Sequence, residues 1–82
     1  MSTLSVLLID DNQSQLEVLS GFIKKQGFRV KTAESGEAGI DIAKKEFINL
    51  VITDYKMPGM NGLQVLEKIK AINPEIEVML IT

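Results

Sequence analysis

With 82 residues the chain suits one small domain, and at that length only a little over ~60% of the unfolded surface can be buried, so its stability is expected to be marginal. Apolar residues make up 45% and charged residues 24% of the chain, a globular composition; the absence of Cys excludes disulfides and thiolate metal sites, and without His neither imidazole catalysis nor zinc is expected. A net charge of −2 with nine scattered basic residues argues against direct nucleic-acid binding, and the absence of any long apolar run argues against a membrane span or a signal peptide, which points to a cytoplasmic protein.

The first element is predicted at Val6 to Ile9, "VLLI", a continuous apolar run of the kind that parallel strands show when both faces are covered. It ends on Asp10 and Asp11. Leu16, Leu19, Phe22 and Ile23 then recur at helical spacing from Gln13 to Gln26, with Asp11 or Asn12 as N-cap and Gly27 as the stop. "FRVKTA", Phe28 to Ala33, alternates as a half-exposed edge strand does. Ser35 can cap a second helix over Gly36 to Lys45, with Ala38, Ile42 and Ala43 turned inward and Phe47 closing it against the core. "LVIT", Leu50 to Thr53, is a second buried-type strand and runs straight into Asp54. After a loop to Met60, Asn61 caps a third helix whose stripe is expected to be Leu63, Leu66, Ile69 and Ile72; Asn73-Pro74 ends it. "VMLIT", Val78 to Thr82, is the last strand, again of buried type.

Strands alternating with helices imply right-handed crossovers and a parallel α/β sheet with helices on both faces. A flavodoxin-like doubly wound arrangement has strand order 2-1-3-4, with ligands bound at the carboxyl ends of strands 1 and 3, where the winding reverses. Those ends carry Asp10, Asp11 and Asp54. Like charges brought into one crevice need a cation, and all-oxygen ligands without His or Cys favour a hard ion, Mg²⁺ over a dedicated Ca²⁺ cage. A carboxylate beside such an ion can act as a nucleophile toward a phosphoryl group, and Asp54, standing alone at its strand end, is the best candidate.

The segments "LLIDDN", "VITDYKMPGMNG" and "VMLIT" resemble the receiver domain of bacterial two-component response regulators, over the whole chain. The resemblance implies that Asp54 is the phosphoacceptor, that Asp10, Asp11 and Asp54 bind Mg²⁺ together with the backbone carbonyl of Lys56, and that Thr82 is the switch hydroxyl. Pro58 and Gly59 would shape the loop, and Gly62 matches the glycine that follows it. The implied phosphodonor is a histidine kinase, and the implied catalysis is limited to the receiver's own phosphorylation and dephosphorylation. The resemblance also implies that residues 1–82 form the N-terminal portion of the domain, without the last helix, strand and helix of the family fold. A lysine on that missing strand would contact the phosphoryl group, so phosphorylation is expected to be impaired. The uncovered sheet face and the open edge of strand 4 are expected to drive self-association, at least to a dimer.

Each residue also has a plainer reading. Asp11 alone would be a helix cap, Thr82 a β-branched strand residue, Lys56 a solvated side chain and Met57 to Met60 a turn. A haloacid-dehalogenase-type phosphatase would need a second acid where Lys56 stands, and a flavin mononucleotide site would need a hydroxyl- and glycine-rich phosphate loop where "DDNQS" stands. The surviving alternative is a receiver-like interaction module that works without phosphorylation.

Overall fold

The structure, a computed structural model, describes residues 3–81. Its elements follow the predicted order: β1 (Ser5–Ile9), α1 (Gln13–Lys25), β2 (Arg29–Ala33), α2 (Gly36–Lys45), β3 (Leu50–Asp54), α3 (Gly62–Ile72) and β4 (Glu77–Ile81). All strand pairings are parallel and the sheet order is β2-β1-β3-β4. This is the doubly wound arrangement expected from the sequence, with four strands and three helices among the described residues. None of the helices is long and apolar enough to cross a membrane.

Local chemistry accounts for the helix boundaries. The Asn12 side chain accepts the Gln15 amide at 3.1 Å to start α1, and Gly27, at φ 94, ends the turn that follows it. Ser35 accepts the Ala38 amide at 3.2 Å at the start of α2. Asn61 and Gln64 form a reciprocal capping box at the start of α3, with both bonds at 2.9 Å.

The core has two unequal halves. On one face of the sheet, Leu7, Ile9, Ala33 and Val51 pack under Ile40 and Ala43 of α2 and Val65 and Ile69 of α3. On the other, Val6 and Leu8 pack under Leu16 of α1. Helix α1 lies over β1 and β2 and does not reach β3, so Leu50 and Ile52 are only partly covered. Beside them on the same face, by the register Ile52↔Met79 and Asp54↔Ile81, Met79 and Ile81 of β4 are 53% and 42% exposed.

Several expected burials are corrected. Phe47 does not close α2 against the core; it is 77% exposed, and the buried residue there is its neighbour Ile48. In α2 the inward residues are Gly36, Gly39, Ile40 and Ala43, while Ala38 faces solvent. In α3 they are Gly62, Val65 and Ile69, and the predicted members Leu63 and Ile72 are exposed. Phe22 of α1 is exposed as well. Strand β4 is not buried: Val78 and Leu80, on the face that α3 covers, are half-buried at the sheet edge, and Met79 and Ile81 are exposed on the face that no helix covers among the described residues.

Candidate functional site

The register Ile9↔Thr53 aligns the ends of β1 and β3, so Asp10, just past β1, and Asp54, the last residue of β3, stand side by side. Asp10, Asp11 and Asp54 each offer a carboxylate oxygen, and these atoms lie within 4.8 Å of one another. The sequence places Asp54 43 positions beyond Asp11; the parallel crossover brings it to the Asp10–Asp11 pair.

The three carboxylates sit in different surroundings. Asp10 is buried, its amide donates to the Ala33 carbonyl at 3.1 Å, and its carboxylate accepts the Asn12 amide at 2.9 Å. Burial pushes its pKa above the usual carboxylate value; the Asn12 amide opposes the rise, and the charges of Asp54 and Asp11 add to it. Asp11 is exposed and Asp54 half-buried. The one ion pair among the described residues joins Lys31 to Glu46 at 3.5 Å, so no Lys or Arg neutralises the cluster.

The backbone around Asp54 is held from three directions. The buried Thr53 hydroxyl donates to the Asp54 carbonyl at 3.1 Å, the Tyr55 amide donates to the Ile81 carbonyl at 2.9 Å, and the Gly62 amide donates to the Tyr55 carbonyl at 2.8 Å. A Cβ on Gly62 would stand 2.6 Å from the Asp54 carbonyl oxygen and 2.9 Å from Tyr55 Cα, so only glycine lets α3 start this close to the phosphoacceptor candidate. The sequence marks this glycine by its place in the motif but not its contact with Asp54. Lys56, an exposed residue two positions beyond Asp54, lines with Tyr55, Met57, Pro58 and Asn61 an open hollow of about 430 Å³. Thr82 lies outside the described residues.

Sequence and fold together place the chain in a known class. It belongs to the response regulator receiver domain family, whose sequence model matches residues 6–82. It is similar to the sporulation initiation phosphotransferase F of Bacillus subtilis, 34% identical over 77 residues covering 94% of this chain and 62% of that protein. It is also similar to a cyclic di-GMP phosphodiesterase of Thermotoga maritima, 34% identical over 79 residues covering 96% of this chain but 21% of that protein. Among solved structures, a response regulator receiver domain protein from Clostridium thermocellum superposes with a TM-score of 0.90 at 34% identity, covering 94% of this chain and 63% of that one. The chain thus spans less than two thirds of the length of each. The catalysis of this family is confined to the receiver's own phosphorylation and dephosphorylation, which sets it apart from conventional enzymes.

Proposed function

We propose that the chain acts as the phosphoacceptor receiver module of a two-component response regulator, taking a phosphoryl group from a histidine kinase onto Asp54 with the help of Mg²⁺. The observation that carries this reading is the convergence of three carboxylates within 4.8 Å at the ends of adjacent parallel strands, with no basic side chain among the described residues paired to any of them. Three acids so placed repel one another, and a hard divalent cation relieves the repulsion; an all-oxygen set with open positions suits Mg²⁺. Asp10 and Asp11 hold the cation, joined by Asp54 and by the Lys56 carbonyl. When bound, the ion neutralises the charge on the transferred oxygens. Asp54 supplies the attacking carboxylate oxygen, and Thr82 supplies the switch hydroxyl. The Bacillus relative is named a phosphotransferase and several others are named transcriptional regulatory proteins, which supports phosphoryl acceptance from a kinase in a signalling chain.

The test is incubation with acetyl phosphate, with and without Mg²⁺, read by intact mass. One phosphoryl adduct is expected, requiring Mg²⁺ and absent from Asp54→Asn, and slow to form, since among the described residues no lysine pairs with the carboxylates. An adduct that persists in Asp54→Asn contradicts the assignment. A second reading, a self-associating receiver-like module that needs no phosphorylation, is favoured by the exposed Met79 and Ile81 on the open β4 edge, and it would be supported by a complete lack of adduct.

A further inference from the structure

The other edge of the sheet, β2, carries a different kind of surface at the end of the molecule away from the acids. The Arg29 amide donates to the Leu4 carbonyl and the Ala33 carbonyl accepts from Asp10, so these two residues turn their backbone groups toward β1. By the two-residue repeat of a strand, Val30 and Thr32 turn theirs to the open edge. The side chains of Arg29 and Lys31 lie on the same sheet face as the buried Ala33, the face that α2 covers. There they line a hollow of about 340 Å³ with Glu46, Phe47 and Ile48, the segment that follows α2. Lys44 and Lys45 stand in the last turn of α2 just before it. Two basic side chains, Arg29 and Lys31, thus line the hollow against one carboxylate, Glu46, which Lys31 pairs at 3.5 Å, and Phe47 is the most exposed large apolar residue described.

We propose that the β2 edge and this hollow form a docking site for an extended acidic peptide that adds to the sheet as a further strand. The open N–H and C=O groups of Val30 and Thr32 would pair with the peptide backbone, as strand addition requires. Every second peptide side chain would then point to the α2 face. Carboxylates at those positions meet Arg29 and Lys31, and Phe47 covers the apolar stems of the incoming residues. Charge complementarity selects an acidic partner, and the open edge selects an extended one over a flat lipid surface.

The probe is a short synthetic peptide of alternating Glu and Val, with a Lys and Val counterpart as control, titrated into the isotopically labelled chain. Saturable binding of the Glu peptide alone is expected, with NMR shift changes confined to Arg29 to Thr32 and Glu46 to Ile48. Amide hydrogen exchange at Val30 and Thr32 should slow in the unaltered chain. The charge reversals Arg29→Glu and Lys31→Glu together should weaken binding by about tenfold or more. Thr32→Pro removes an edge donor at an exposed position without touching the bonds to β1, and should weaken binding while leaving the circular dichroism unchanged. The absence of saturable binding, unaltered exchange at Val30 and Thr32, or binding only to phosphatidylglycerol-containing vesicles would overturn the proposal.

Discussion

At the scale of single residues, Asp10 and Gly62 do most to define the site. Asp10 is buried against two other acids, so the folded chain holds its proton at pH values where the unfolded chain, with a carboxyl near 3.8, has lost it. Its contribution to stability therefore falls as pH rises from 3.8 through the raised folded value, and above that value the ionised side chain costs stability. Asp10→Asn, measured near neutral pH in a chelator, should raise Tm by several degrees, and the gain should vanish on acidification toward the lower value. Mg²⁺ should raise the Tm of the unaltered chain and leave that of the variant almost unchanged. A lower Tm for Asp10→Asn in chelator would show that the carboxylate is not under repulsion. Gly62→Ala forces a methyl group against the Asp54 carbonyl and should cost about 1–3 kcal/mol in urea unfolding, the usual penalty of overpacking. A neutral result would mean that the start of α3 yields without strain. The three acids themselves were legible in the sequence because strand ends and motif spacing both pointed to them. The closeness of Gly62 to Asp54 was not, since it depends on the angle at which α3 meets the loop.

At the scale of elements, all seven were legible in order and nearly so in extent, because caps and stops such as Asn12, Ser35, Asn61 and Pro74 are local signals. The facing of the helices was less so. Helix α3 carries apolar residues at Leu63, Val65, Leu66, Ile69 and Ile72, which allows two stripes; packing over the sheet chose the one through Val65 and Ile69. Ile69 is fully buried and Leu63 is 45% exposed, so Ile69→Ala should cost about 2–5 kcal/mol and Leu63→Ala only about 0.5 kcal/mol. Equal costs in denaturant unfolding would restore the stripe expected from spacing alone. In α2, Gly36 and Gly39 count against a helix by intrinsic propensity. In the fold they permit close packing, since a Cβ on Gly39 would collide with Ile9 and one on Gly36 would stand 2.8 Å from Val65. No periodicity argument distinguishes a glycine that loosens a helix from one that lets it approach the sheet.

At the scale of the whole molecule, charge and exposure are unevenly shared. Asp10, Asp11 and Asp54 gather at the carboxyl ends of the strands, whereas Lys24, Lys25, Lys44, Lys45 and Lys70 stand in the last turns of the helices, at the opposite end, where they complement the helix dipoles. Met79 and Ile81 of β4, beside the partly covered Leu50 and Ile52 of β3, form an apolar surface on the face that α1 leaves open. If that face drives association, light scattering after size exclusion should give a dimer mass for the unaltered chain and a monomer mass for Met79→Lys, which puts a charge at its centre. A monomer in both would remove the support for the self-association reading. The central claim, that the fold builds a cation-assisted phosphoacceptor at the end of β3, is tested most directly by locating the modification. After treatment with acetyl phosphate and Mg²⁺, borohydride reduction of the acyl phosphate followed by peptide mapping should find the reduced residue at position 54. Reduction at Asp10, Asp11 or a carboxylate elsewhere would contradict the account.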